Sequence, residues 1–224
     1  NPAAEVKGSI HDAATASKLG FKGGTVAGSI HMDQFVPGLV DLYGDRWFET
    51  GAMSLYFTQA TVDREAVQAS VEPNEARAHL TMHNEAGAQI CEGTATLGRD
   101  PQSELARRMA GQTPAEPAGL RILKDMAVGD EHHDIPVRIE PEHLAAYLER
   151  ITEPMAAYRD EQVLPPAQIV HLAHMTRKHV LAKAAQPSVG LFGALEVEAI
   201  AGPIRAGVDY LARTRTLKFS ESPR

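Results

Sequence analysis

Gly28-Ser29-Ile30-His31-Met32-Asp33-Gln34-Phe35-Val36-Pro37-Gly38-Leu39-Val40-Asp41-Leu42 decides the architecture of this chain. Ile30, Met32, Phe35, Val36, Leu39, Val40 and Leu42 recur at helical spacing, which predicts a mostly buried helix. Pro37 has no amide hydrogen to give and predicts a kink or local break. Trp47 and Phe48 then fall in a connecting loop, after which the period changes. Residues 52–62, 66–71, 76–83 and 89–97 have strand character, with Asn84-Glu85-Ala86-Gly87 as the hairpin connection between the last two. The first half therefore reads as one long helix followed by four antiparallel strands.

Residues 99–120 are polar and rich in Ala, Gln, Glu and Pro, which predicts a linker carrying a short helix over 104–110. Beyond it the pattern returns. An opening strand is predicted over 131–139, a helix over 141–151 starting at Glu140 or Pro141, and a second long helix from Pro165-Pro166 through Lys183. Strands follow over 191–200 and 208–219. Tyr56-Phe57-Thr58-Gln59-Ala60-Thr61-Val62-Asp63-Arg64-Glu65 aligns with Glu198-Ala199-Ile200-Ala201-Gly202-Pro203-Ile204-Arg205-Ala206-Gly207, an offset of 142. The same offset carries residues 28–42 onto 170–184, inside the second long helix. A repeat of this size predicts two copies of one α+β unit, residues 1–98 and 123–224, joined by a linker over 99–122 and related as two chains of a dimer are. The copies are unequal. The second has no counterpart of the strands over 76–97, and the first has only a short candidate opening strand over 3–7, so terminal segments of the unit are expected to be missing from this sequence.

Composition narrows the function. The chain has 224 residues, 43% hydrophobic and 23% charged, as a globular protein with a substantial core has. A net charge of −7 without a Lys/Arg stripe argues against a nucleic-acid binder. No apolar run is long enough to span a membrane, and no N-terminal segment has the pattern of a signal peptide, although the chain begins at Asn1 rather than Met. The single Cys91 excludes an internal disulfide framework, fits a reducing cytoplasm, and reads as a structural thiol within a strand. A cytoplasmic protein with no nucleic-acid or membrane partner, and with homo-oligomerisation open, is the expectation.

Chemistry concentrates just before the first helix. Ile10-His11-Asp12 opens a helical turn, and Ala16, Gly20-Phe21 and Gly23-Gly24-Thr25-Val26-Ala27-Gly28 lead into the helix. That order sets a proton-transfer side chain near a helix start, whose free amides can hold a developing oxyanion. Imidazole is suited to adding or removing water near neutral pH. The stretch resembles the signature of MaoC-like hotdog dehydratases and hydratases. The resemblance implies a double hotdog fold, two long helices each wrapped by a curved antiparallel sheet. It implies interconversion of a trans-2-enoyl thioester and a 3-hydroxyacyl thioester, with His11 as acid/base group and Gly28 supplying the oxyanion-hole amide. In the family an Asp stands five positions before the His and an Asn three before it. Here those positions hold Val6 and Gly8, so Asp12 is left to support His11 or to replace the carboxylate. Gly23, Gly24, Ala27, Ser29 and His31 would then line the substrate. The substrate would be a thioester of coenzyme A or of an acyl carrier, with no separate cofactor and no metal. The plain structural alternative is that the His11 ring caps a turn and Asp12 is an N-cap.

Other polar clusters carry less. His31 and Asp33 could activate water as a helix carboxylate does in hotdog thioesterases, but spacing alone cannot orient them, and a buried, satisfied His beside an exposed Asp is the reading kept. His171, His174 and His179 read as the polar flank of the second helix, because no third ligand accompanies the first two. His132-His133-Asp134 reads as an exposed strand start. Gly23-Gly24 lacks the Lys-Ser/Thr of a phosphate loop and instead suits a tight crossing or close backbone approach to a ligand. Glu153 and Tyr158 stand where the first copy has His11, and no hydratase motif survives there. One active and one degenerate copy are expected, with the main pocket beside His11. The alternatives are a thioesterase using His31 or Asp33, and a non-catalytic acyl-CoA binder.

Overall fold

The computed structural model describes residues 9–116, 119, 123, 125–183 and 190–220. The candidate opening strand over 3–7, with Val6 and Gly8, lies outside them. The first half runs α1 (Ala13–Lys18), α2 (Gly28–Asp33), α3 (Val36–Tyr43), α4 (Arg46–Thr50), β1 (Gly51–Phe57), β2 (Val67–Asn74), β3 (Arg77–Asn84) and β4 (Gln89–Leu97). Then come α5 (Glu104–Gly111), β5 (Glu131–Val137), α6 (Pro141–Leu148), α7 (Ala156–Asp160), α8 (Pro166–His174), α9 (Arg177–Val180), β6 (Ala194–Glu198) and β7 (Tyr210–Arg215). Among the described residues no helix is long and apolar enough to cross a membrane.

Each long helix is broken rather than continuous. The first stops at Asp33 and restarts at Val36, with Pro37 in the first turn of α3, where its missing amide costs no hydrogen bond. The second breaks the same way, between His174 and Arg177. Trp47, expected in a loop, is buried in the short α4 and stacks on Tyr43 at 6.1 Å between ring centroids.

α2 and α3 lay Met32, Phe35, Val36 and Leu39 on the sheet, against Met53, Leu55, Leu80, Met82, Ile90 and Ala95. All of these are almost wholly removed from water, and this apolar burial is the main stabilising term of the first half. Gly38 lets α3 lie close, since a Cβ there would come within 3.0 Å of the Val71 side chain.

The sheets are not one per half. Strand order in the larger sheet is β2-β3-β4-β1-β6, so a strand of the second half completes the sheet of the first, while β5 and β7 pair apart as a two-stranded sheet. β1 and β6 are antiparallel, with Ala52 opposite Glu198, Ser54 opposite Glu196 and Tyr56 opposite Ala194. Residues 54 and 196 are separated by 142, the offset of the sequence repeat. A twofold axis through that pair exchanges 52↔198 with 56↔194, as a fused dimer requires.

The segment read as a linker is packed across this seam. Ser103 caps α5 and its hydroxyl bonds Glu196, while the Leu105 amide donates to Ser54 Oγ at 2.9 Å. β1 is therefore buried on both faces over its first five residues.

Candidate functional site

Asp12 sits at the N-cap of α1, accepting from the Ala14 amide at 3.3 Å and from the Thr15 hydroxyl at 2.8 Å. His11 meets the crossing at Thr25. Its Nδ1 lies 2.8 Å from the Thr25 carbonyl oxygen and 3.3 Å from Thr25 Oγ1. A carbonyl can only accept, so Nδ1 carries the hydrogen, and in the neutral ring Nε2 keeps the lone pair. The ring is thus oriented by a backbone carbonyl, and the Asp12 carboxylate caps the start of α1.

The glycines have local causes. A Cβ on Gly24 would stand 2.3 Å from the His11 carbonyl oxygen, and one on Gly28 would stand 2.8 Å from the Phe57 ring. Gly23 faces Val62. A side chain at Gly24 or Gly28 would therefore collide with the protein, and glycine there lets the crossing lie close. Ala27 is the N-cap of α2 and brings no side-chain cap, which leaves the Gly28 and Ser29 amides at the head of the helix beyond the His11 turn.

His31 is an internal residue, 4% exposed. Gln34 Nε2 donates to its Nδ1 at 3.3 Å, and its Nε2 faces Thr61 Oγ1 at 2.8 Å. Burial lowers its pKa to about 4, against the pull of Glu65. It therefore ties α2 to the loop after β1 as a neutral ring and does not line an open site.

Asp33 is not the exposed residue expected. Its Oδ2 accepts from the Tyr147 hydroxyl at 2.6 Å and its Oδ1 from the Ala167 amide at 2.8 Å, so the end of α2 reaches the start of α8. The residue keeps some surface, but its carboxylate end is enclosed. That burial raises its pKa to about 7, against the two hydrogen bonds. Burial, and Asp33 itself, hold the Tyr147 and Tyr158 hydroxyls far above the usual tyrosine range. Among the described residues the buried Tyr158 hydroxyl and Gln168 Oε1 have no hydrogen-bond partner.

The two crossings correspond bond for bond. Val26 donates to the Thr61 carbonyl at 2.9 Å and Leu164 to that of Ile204 at 2.8 Å, and the next helix begins two residues later in each, at Gly28 and at Pro166. Where the first half has an amide at that position, Pro166 has none. The next amide of the second half, Ala167, is the one that Asp33 occupies.

His174, the last residue of α8, is held below the usual histidine range by burial first, then by Arg177 and by the neighbouring His11. Its ring stacks on that of Phe192, with centroids 5.0 Å apart. Sequence spacing gave no sign of this, since 163 residues separate His11 and His174. His171 instead stacks on His143 at 5.1 Å. Among the described residues no group of three His, Cys, Asp or Glu side chains could hold a metal. Cys91 is buried, with its pKa raised to about 12 by burial first and by Glu92, so its thiol stays protonated. A cavity of about 230 Å³ lies on the β5–β7 pair, lined by Pro136, Val137, Arg138, Asp209, Tyr210 and Leu211. Leu211 there is 71% exposed.

No protein-family model matches the sequence, and no curated protein matches it. Solved structures match the fold. A conserved hypothetical protein from Mycobacterium tuberculosis, described as having a double hotdog fold, matches over 94% of this chain and 76% of its own, with 13% identity and a TM-score of 0.50. The dehydratase domain of PpsC from Mycobacterium tuberculosis, solved in complex with C12:1-CoA, matches over 56% of this chain with 12% identity and a TM-score of 0.29. An N-terminal dehydratase from the difficidin assembly line matches over 57% with 10% identity and a TM-score of 0.26. This chain spans 38% and 42% of the length of those two dehydratases. The chain is an α+β protein with a double hotdog fold.

Proposed function

We propose that this double hotdog protein is an acyl-thioester hydratase or dehydratase of MaoC-like type, with its one working site in the first half. The observation that carries the reading is the fixed tautomer of His11, whose Nδ1 is committed to the Thr25 carbonyl and whose Nε2 is left to exchange a proton. Hydration moves the elements of water and no electrons to an acceptor, so acid/base groups and a carbonyl-polarising donor suffice. In this reading the Gly28 amide, at the head of α2, holds the thioester oxygen as charge develops on it. Ala27, Ser29 and the Gly23-Gly24 crossing flank the acyl group through their backbone. The substrate is a thioester of coenzyme A or of an acyl carrier, in a reducing compartment such as the cytoplasm.

The loss of function in the second half has a physical account in the same terms. Pro166 removes the donor corresponding to Gly28, and the Asp33 carboxylate fills the neighbouring amide. The thioesterase reading fits less well, because His31 and Asp33 are both engaged internally. Incubation with crotonyl-CoA, following loss of the enoyl absorbance, tests the proposal. Hydration by the wild type and its loss in His11→Ala support it. Release of free thiol in place of hydration would reassign the protein to thioester hydrolysis, and no turnover of any enoyl thioester would leave a binding protein.

A further inference from the structure

Residues 162–195 hold no Asp or Glu, in a chain with 29 of them and a net charge of −7. The same stretch carries Arg177, Lys178 and Lys183, so α9 and the turn after it form a basic surface on an acidic protein. α9 buries none of its residues. It lies against the start of β5, where the His179 and His132 rings stand 5.9 Å apart. The carboxylates at that strand start are already held, Asp130 by Lys183 at 3.0 Å and Glu131 by Arg213. Among the described residues Arg177 and Lys178 make no ion pair, and both are exposed.

An apolar surface adjoins these cations. Nη2 of Arg177 comes within 3.8 Å of the side-chain position of Gly190. Two residues further on, the Phe192 ring stacks on His174, with centroids 5.0 Å apart. Phe192 and Leu191 are 39% and 61% exposed. A free guanidinium beside an exposed aromatic surface fits the chemistry of a nucleotide. The base packs its face on the apolar side chains, and the phosphates take the cations.

We infer that Arg177, Lys178 and the Leu191-Phe192 surface bind the nucleotide end of the thioester, which makes coenzyme A the carrier this protein takes. The choice rests on the thioester reading of the first-half site. A phosphopantetheine arm on an acyl carrier brings one phosphodiester and no base, so the exposed Phe192 would have nothing to meet. A long polyanion is disfavoured by the net charge.

The position on the fold agrees. α8 packs on α2, and Asp33 at the end of α2 meets the Ala167 amide at the start of α8. The twofold relation through Ser54 and Glu196 carries that contact to one between the end of α8 and the start of α2. α9 continues from the end of α8, so its cations lie beyond the head of α2. The pantetheine arm bridges this separation, with the thioester at the Gly28 amide and the phosphates at α9. No bond forms or breaks at α9. The surface holds substrate and leaves proton transfer to the His11 turn.

Crotonyl-CoA and crotonyl-pantetheine, which lacks the nucleotide, separate the two roles in the full chain. The double variant Arg177→Gln/Lys178→Gln should raise KM for crotonyl-CoA about 10–100-fold with kcat little changed, the scale of losing hydrogen bonds to charged groups. Its KM for crotonyl-pantetheine should equal that of wild type. Arg46→Gln, at an exposed guanidinium on α4, controls for net charge and should change neither. An unchanged KM for crotonyl-CoA in the double variant, or an equal rise for both substrates, overturns the site. Calorimetry with 3′-phosphoadenosine 5′-phosphate needs no turnover. Binding to wild type that weakens with salt, and weakens further in the double variant, supports the site. A wild type that hydrates no enoyl thioester overturns the hydratase reading, while this titration still decides the nucleotide site. No nucleotide binding, with loss of activity on a carrier-bound crotonyl thioester in the double variant, would give the surface to an acyl carrier and overturn coenzyme A.

Discussion

The Tyr147 hydroxyl donates a 2.6 Å hydrogen bond to the Asp33 carboxylate, joining the end of one half's helix to a helix 114 residues away in the other. The bond is short and enclosed, and it sits where burial favours the neutral acid. Stability and pH are therefore linked through it.

The Asp33 pKa is raised from 3.8 to about 7 on folding, so the folded state binds more protons over that range and stability falls as pH rises through it. Asp33→Asn, which keeps an acceptor for the Ala167 amide, should remove this slope and melt at higher temperature than wild type at pH 8. Asp33→Ala strands both donors and should cost on the order of 1–3 kcal/mol. Thermal melts of the three proteins at pH 5 and pH 8 provide the comparison. An unchanged slope in Asp33→Asn would refute the linkage.

His31 has the opposite sign. Its pKa is lowered from 6.5 to about 4, so the unfolded state binds more protons there and stability falls as pH drops from 6.5 toward 4. The two slopes oppose each other between pH 4 and 6.5 in the wild type. His31→Gln should expose the Asp33 slope and make stability fall with rising pH across that window, whereas Asp33→Asn should steepen the acid decline. Denaturant midpoints at half-unit pH steps would show both. Parallel curves for the two variants would count against the assignments.

His11→Ala should lower enoyl-CoA hydration by about two to four orders of magnitude with little effect on melting, the usual scale for losing an acid/base group. Asp12→Ala should do the reverse. It removes the N-cap of α1 and should cost about 1 kcal/mol, with a smaller kinetic loss through a looser His11 turn. If Asp12→Ala stops turnover as completely as His11→Ala while melting like wild type, the carboxylate belongs to the chemistry after all.

Gly24→Ala should damage the site without touching a reacting group. Its Cβ would enter within 2.3 Å of the His11 carbonyl oxygen, so the turn must move and the bond from His11 Nδ1 to Thr25 must lengthen. A stability loss of about 1–3 kcal/mol and a falling kcat are expected. Gly20→Ala is the control, since nothing stands near its side-chain position. Its positive φ of 88° still adds some backbone strain. Equal kinetics in the two variants would argue against the crossing as the scaffold of His11.

Local patterns carried most of the fold. Residues 89–97 were delimited from alternation alone, and Pro37 announced the break before α3. The offset between Tyr56 and Glu198 foretold the axis that the facing pair Ser54 and Glu196 marks. The transfer of β6 to the first half's sheet was not legible, because an edge strand has the same alternation whichever sheet it joins. At the site, His11 could be named because its turn is local to Thr25 and Gly28. The fate of Asp33 could not, since its partners Tyr147 and Ala167 are 114 and 134 residues distant and no spacing rule spans that.

A residue on the twofold axis of a homodimer must face its own twin, so whatever it carries meets its like. Glu opposite Glu in adjacent strands would set two negative charges about 5 Å apart. Joining both halves in one chain lifts that constraint. Here Glu196 faces Ser54 and takes the Ser103 hydroxyl from the segment that joins the halves. Fusion thus gives each half the freedom to specialise at the positions where identical subunits are forced to agree.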